Sequence, residues 1–352
     1  MISASGHFKT SYSFELGVLE TPFRRFWVLV GLCAAVGFPF VVPKFWVGIV
    51  NLSAIAVIGS LALNLLTGYA GQLSLGSAGF LGAGAFTVAV LVQQWGAPFW
   101  ITIPASLLVG AVLGIFVGVP ALRLRGIYLT ISTLAAHFVI LSFATEYQSR
   151  MARGSGLTIP PPAIGPWTLE GERNWYFVLL TAAALVTILS LNLIRSHIGR
   201  AWLAIRERDL AASALGINVS FYRVMAFVIS TSLTTFGGAL LAYYTGFVAA
   251  EGFTFLVTIE YLAMIIIGGV GSVLGSILGA VFVTVLPFVV ERAVERLRFG
   301  EAFQSQIFAL QIGVFALLML AFLILEPRGL VRLWQRARAY FELWPFKFRV
   351  EE

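Results

Sequence analysis

The chain has 352 residues, of which 59% are hydrophobic and 11% charged, and its mean hydropathy is +0.93. A soluble domain carries about 25% charged residues, so the polar surface needed to cover a globule in water is missing. The net charge of +7 lies in loops beside apolar segments, where basic residues set membrane orientation, and is no nucleic-acid footprint.

The apolar runs are continuous and many approach the ~20 residues of a spanning helix. They predict an all-α polytopic membrane protein in a lipid bilayer and exclude an outer-membrane barrel, whose strands alternate over about ten residues. A single cysteine, Cys33, excludes an intrachain disulfide and a thiolate metal cluster. The three histidines, His7, His137 and His197, form no ligand cluster, so no metal is expected.

Residues 1–25 are polar, end in Arg24-Arg25, and read as a cytoplasmic N-terminal segment. The first apolar run, Phe26–Val42, ends FPFVVPKFW without a small-x-small cleavage site, so a retained helix is expected. Runs at Val47–Leu66, Phe80–Val92, Trp100–Val119 and Ile127–Ala144 follow. The polar stretch 146–174, with MARGSGLTIPPPAIG inside it, reads as an external loop. Then come Trp175–Ile194, the basic segment 196–219, and Val224–Val248. Phe253–Val290 is too long for one crossing, and its GGVGSVLGSILGA interruption predicts two shorter crossings or a broken helix.

A charged stretch, Glu291–Glu301, precedes the last run, Ile307–Leu325. Counting the broken region as two gives about ten crossings within a transmembrane region 26–326, followed by a basic tail, 327–352. An even count puts both termini on one side, together with Arg24, Arg25, Arg123, Arg125, the Arg195–Arg208 cluster and the tail arginines. That side is the cytoplasm, and the expected location is a bacterial-type inner membrane.

Two glycine clusters interrupt the apolar pattern. The first, TGYAGQLSLGSAGFLGAGAF from Thr67 to Phe86, carries Gly68, Gly71 and Gly76 with the polar side chains Tyr69, Gln72, Ser74 and Ser77, and no charge. The second holds Gly268, Gly269, Gly271, Gly275 and Gly279. Unpaired backbone groups in hydrocarbon cost several kcal/mol each, so the first break must be buried in protein or line a wet cavity. Glycine-interrupted segments in both halves of a chain point to a transport path. The plain alternative is close helix packing, which the four-residue spacing of Gly271, Gly275 and Gly279, and of Gly110, Gly114 and Gly118, favours. Gln72, Ser74 and Ser77 tilt the first cluster toward a path, because packing alone would not require them.

Ser196–Val219 reads as a short amphipathic helix, with Ala201, Trp202, Ile205, Ala212 and Leu215 along one side and Gly216 as its stop. It suits either a lipid surface or a partner's groove, and its small residues favour the groove.

At these residues the chain resembles the LivM-type permease subunit of branched-chain amino acid ABC importers. The resemblance runs from about Val47 to Leu330, through NLLTGYAGQLSLGSAGFLGAGAF, LRLRGIYLTISTL, GRAWLAIRERDLAASALGIN, EYLAMIIIGGVGSVLGSILGA and EPRGL, in the family's order. It implies a BtuC-like type II importer permease fold, a LivH-type second permease, two cytoplasmic ABC ATPases and an external substrate-binding protein. It implies a coupling helix within Gly199–Asn218, matched by Glu207, Ala211, Ala212, Ala214, Leu215 and Gly216. The family commonly has GQLSLGH where this chain has GQLSLGS, so Ser77 stands for a frequent histidine, and substrates in the wider family include urea and short amides. No glycine is followed by lysine, so the chain has no phosphate loop of its own, and ATP, the cofactor-like energy source, is expected on the partner ATPases.

His137, midway along a crossing, either meets substrate or the partner permease, or is a neutral histidine bonded to a nearby backbone carbonyl. Glu260 reads as structural, and Glu291, Arg292, Glu295, Arg296 and Arg298 as a solvated helix. An ion-gradient-driven carrier would bury more carboxylates or histidines as relays than His137 and Glu260. A membrane-embedded enzyme would need a convergent set of acids and bases, which is missing, so the chain is expected to be no enzyme itself.

Overall fold

The computed structural model describes residues 35–122, 124, 126–152, 154–164 and 167–296, with scattered positions between 313 and 335. The N-terminal segment, most of the first apolar run, Arg123, Arg125, Arg298, most of the last run and the end of the tail lie outside the described residues.

The main elements are α1 (Lys44–Asn64), continued by a π-helical turn (Leu65–Tyr69), α2 (Ser77–Trp95), α3 (Phe99–Ala121) and α4 (Ile127–Ala152). They continue with α5 (Glu172–Arg195), a short elbow of α6 (His197–Glu207) and α7 (Asp209–Ala214), α8 (Val219–Thr245), α9 (Phe255–Gly268) and α10 (Val273–Arg296). Among the described residues eight helices are long and apolar enough to cross a membrane. The region 253–290 forms two of them, with the chain turning at Gly269–Ser272 as the glycine interruption predicts.

Local chemistry explains the starts. Pro43 and Pro98 precede α1 and α3 in extended conformations that end the preceding loops. Ser196 and Asn218 cap α6 and α8, their side-chain oxygens accepting from Ile198 N (3.1 Å) and Phe221 N (3.1 Å). One boundary departs from the sequence reading: α4 continues to Ala152, into the stretch expected to be loop. Gln148 holds these last turns, its Oε1 accepting from Ala250 N at 2.7 Å and its Nε2 donating to Glu251 at 3.1 and 3.2 Å.

Helix α8 packs against α1, α2 and α3 at the centre. A Cβ at Gly114 would lie 2.7 Å from Val228 Cα, and one at Gly118 3.1 Å from Phe227 Cβ, so this glycine row brings α3 onto α8. Hydroxyls tie the same helices: Ser230 donates to Ala62 O (2.7 Å) and Thr231 to Gly110 O (2.8 Å).

The two ends of the bundle differ. At the end where α1 and α5 begin, Glu172 accepts from Asn51 Nδ2 (2.9 Å) and Tyr244 OH (2.7 Å). There β1 (Leu157–Thr158) pairs antiparallel with β4 (Phe247–Val248), beside a small hairpin of β2 (Ala163–Ile164) and β3 (Trp167–Thr168). At the other end lies the elbow, with Arg195, Arg200, Arg206 and Arg208. Near Glu172, Arg292 stacks over the Phe45 ring at 4.4 Å, a packing role beyond a merely solvated charge.

Candidate functional site

The first glycine break is a buried non-helical segment. After the π turn the chain runs without helix from Ala70 to Gly76 and re-enters helix at Ser77. Helix α2 then climbs beside α4: Leu75 meets Thr133, Gly79 meets His137, and Gln94 Nε2 reaches Tyr147 OH at 3.3 Å. Thr133 is six residues into α4, about 9 Å along its axis, so α2 starts inside the bundle rather than at its end.

Several backbone groups exposed by the break find partners, as burial requires. Gln72 N donates to Leu66 O (3.0 Å) and Gly76 N to Ser74 Oγ (3.3 Å). Thr133 Oγ1 accepts from Leu75 N (2.9 Å), and Thr258 Oγ1 of α9 from Ala78 N (3.0 Å). Neighbouring helices therefore cap α2, which has no capping side chain of its own. Thr67 Oγ1 donates to Gln72 O (3.2 Å), and Gln72 Nε2 to Arg223 O on α8 (3.2 Å). Tyr69, Gln72, Ser74 and Ser77 are all buried, and Tyr69 turns its hydroxyl to the Val273 backbone. Only Gly71 and Leu73, the latter 46% exposed, open from this segment to the outside. Gly76 packs on Thr133, its would-be Cβ 3.0 Å from that carbonyl.

The second break is a tight turn seated on the first. Gly269 and Gly271 have φ of 119° and 79°, conformations that other residues rarely adopt. Gly271 therefore belongs to the turn, a correction to its grouping with the packing glycines. Gly275 and Gly279 do pack, with would-be Cβ atoms 2.7 Å from Gly269 O and 3.0 Å from Gly268 Cα. Gly268 in turn lies against the Gly275 backbone.

Asn64, which the sequence reading passed over, joins the two breaks. Its Oδ1 accepts from Gly271 N (2.9 Å), and its Nδ2 donates to Ser272 O (3.0 Å) and Ser276 Oγ (2.7 Å). Gly68 is where the turns touch: a Cβ there would lie 2.6 Å from Gly271 N.

His137 is fully buried, 0% exposed, at about 15 Å along α4. It sits between Gly79 of α2 and the Phe255 ring of α9, 6.4 Å centroid to centroid. Neither ring nitrogen has a hydrogen-bond partner. The reading of His137 as a histidine satisfied by a backbone carbonyl is thereby corrected. Glu260 is half-buried on α9, and its neighbour Tyr261 packs against Gly59 of α1.

The elbow is two helices, not one. Arg208 is extended (φ −156°, ψ 109°) and separates α6 from α7. The kink has ties on both sides: Arg206 donates to Gly68 O, and Asp209 pairs with Arg223 of α8. Ala201, Trp202 and Ile205 face inward, and Trp202 Nε1 donates to Tyr222 O (2.9 Å). Ala212 is 2% exposed and also faces inward, so it anchors α7 rather than presenting a contact. Leu215 does not share that side: α7 ends at Ala214, and Leu215 is 81% exposed. Glu207, Ala211, Ala214 and Gly216 are exposed with it, and so is Leu210 (80%), which sequence periodicity missed. Gly216, with φ of 83°, ends the elbow as predicted.

Among the described residues, eight spanning-length helices around buried broken backbone define a polytopic membrane protein of the construction used by transporters. A family model described as the permease component of the branched-chain amino acid transport system matches residues 45–325, and the chain belongs to that family, as a LivM-type permease. It is 34% identical over 275 residues to the high-affinity branched-chain amino acid transport permease LivM of Salmonella typhimurium, a match covering 71% of this chain and 64% of that protein. The Escherichia coli LivM is 33% identical over 275 residues, with the same coverage. A probable LivH permease of Methanocaldococcus jannaschii is 26% identical over 227 residues, 62% of this chain and 70% of the relative. The match thus spans 64% of the length of the bacterial relatives. No solved structure matches the chain.

Proposed function

We propose that this chain is one permease half of an ATP-driven importer for branched-chain or other amino acids. A LivH-type permease forms the other half, two ABC ATPases dock at the cytoplasmic side, and an external binding protein delivers the substrate. ATP is bound and hydrolysed by the ATPases. The observation that carries this reading is the elbow: two large apolar side chains, Leu210 and Leu215, stand exposed on a segment anchored from within by Trp202, Ile205 and Ala212. A helix held by its inner face and offering leucines and small residues outward suits a groove on another protein.

The arginine-rich elbow end faces the cytoplasm by the positive-inside rule, and the end with Glu146, Glu170, Glu172 and Glu251 faces out. Both termini are cytoplasmic in a ten-crossing BtuC-like permease. The path runs along Tyr69, Gln72, Ser74, Ser77 and His137, which the substrate reaches when the glycine segment shifts. Leu73 and Gly71 lie at the seam with the second permease.

A narrower alternative concerns the substrate alone. It is urea or a short amide in place of an amino acid, carried by a permease of the same family.

Reconstitution of the permease pair, ATPases and binding protein in vesicles tests this. Uptake of labelled leucine that requires both ATP and the binding protein is expected. Uptake driven by an ion gradient alone would overturn the importer, and preference for labelled urea would shift the substrate.

A further inference from the structure

We propose that Arg206 is a positioning residue that carries movement of the elbow to both glycine breaks at once, with Asn64 as the pin that makes the breaks move together. The inference rests on the importer reading above.

Arg206 lies in the last turn of α6, one residue before the exposed Glu207. Arg206 is itself exposed, and its side chain lies along the edge of the first glycine break. The guanidinium donates from Nη1 to Gly68 O, a carbonyl near the C-terminal end of the π turn. Carbonyls in the last turn of a helix lack intrahelical donors, and the negative end of the helix dipole attracts a cation. The stem packs on the first break: a Cβ at Gly71 would lie 3.0 Å from Arg206 Cγ and 3.3 Å from its Cβ. The same Nη1 lies 3.2 Å from where a Cβ of Gly271 would stand, in the second break. Among the described residues no carboxylate pairs with this guanidinium, and its hydrogen bond goes to the Gly68 carbonyl.

The second half of the device is Asn64. Its amide is 1% exposed and all of its hydrogen bonds go to residues 271–276. Gly68 and Gly271 carry no side chain to keep these backbones apart. A push on Gly68 through Arg206 is therefore passed to the second turn by direct contact and by the Asn64 amide. Both breaks meet the elbow at Arg206. An anchoring role alone would be met by the buried Trp202 and Ile205 and by Asp209, whose partner Arg223 also accepts from Gln72 through its backbone carbonyl.

The test uses the assembled complex in vesicles, measuring ATP hydrolysis and substrate uptake side by side. Arg206→Ala is expected to keep ATPase association and hydrolysis while ATP hydrolysed per substrate imported rises about tenfold or more. Arg206→Lys, which keeps the cation but not the planar fork, is expected to restore part of the coupling. Asn64→Ala is expected to raise the same ratio without touching the elbow.

A covalent substitute guards against failed assembly. In a Cys33→Ser background, Gly71→Cys with Arg206→Cys places two Cβ atoms near disulfide distance. Oxidation should restore coupling that is lost in the reduced form. An unchanged ratio in Arg206→Ala, or hydrolysis and uptake falling in proportion, would overturn the inference. So would an oxidised pair no better coupled than the reduced one. Loss of ATP-driven uptake in the unaltered complex would overturn the importer reading and this inference with it.

Discussion

The two glycine breaks have similar sequences, GSAGFLGAGAF and GSVLGSILGAVF, and opposite constructions. The first opens into several residues of non-helical chain, held in part by bonds to Thr133, Thr258, Ser74 and its own turns. The second is a short turn, after which Gly275 and Gly279 fold α10 back onto α9 by backbone contact. Glycine removes side chain in both places. In the first break it leaves a segment held by a few hydrogen bonds, and in the second it allows two helices to close tightly. A segment held by exchangeable hydrogen bonds is the one suited to move.

Five variants break or sharpen that contrast. Gly279→Val puts bulk into the α9–α10 contact against the Met264 carbonyl, and is expected to cost about 3 kcal/mol, the upper end of overpacking penalties. Thermal unfolding of the detergent-solubilised complex would show it as the largest loss. If the variant melts like the parent, the second break is not a packing site.

Asn64→Ala should cost about 1–3 kcal/mol, because it leaves the Gly271 N–H buried without its acceptor. Amide exchange should rise at Gly271 and Ser272 before it rises at Leu75 or Ala78. Unchanged exchange at Gly271 and Ser272 would mean that Asn64 does not hold the second turn.

His137→Leu removes two unpartnered nitrogens, so the resting protein should gain up to about 1 kcal/mol while uptake falls. Marked destabilisation would show that the imidazole makes a bond this structure lacks.

Leu210→Glu with Leu215→Glu should leave stability within about 0.5 kcal/mol, as surface changes usually do, and abolish co-purification with the ATPases. Ala212→Leu should do the reverse first, weakening the fold through its buried position. Retained association in the double glutamate variant would remove the elbow from the docking surface.

Much of the architecture is legible in the sequence because hydrocarbon length and glycine interruptions are local signals. The α9–α10 split is the clearest case, since GGVG sits in a run too long for one helix. The burial of Gln72, Ser74 and Ser77 follows from the same rule, that broken backbone cannot face lipid. Their partners were not legible. Thr133 and Thr258 cap a helix 58 and 180 residues away from the donors they meet.

Asn64 looks like one amide in an apolar run until the fold brings residues 271–276 beside it. The elbow misled periodicity for a nearer reason. A single helix places Ala212 and Leu215 on one side, but the chain is extended at Arg208 and leaves helix again after Ala214. Leu210 was passed over for the same cause.

The pairing of β1 with β4 bears on how the molecule moves. Together with Gln148–Glu251 and Asn51–Glu172–Tyr244, it staples one rim of the bundle across distant stretches of chain. The opposite rim meets the elbow through Arg206–Gly68, Asp209–Arg223 and the buried Trp202 and Ile205. A pair of tongs is built this way, stiff at the pivot and free at the tips. Small strokes applied at the free rim would be felt most near it and least at the stapled rim.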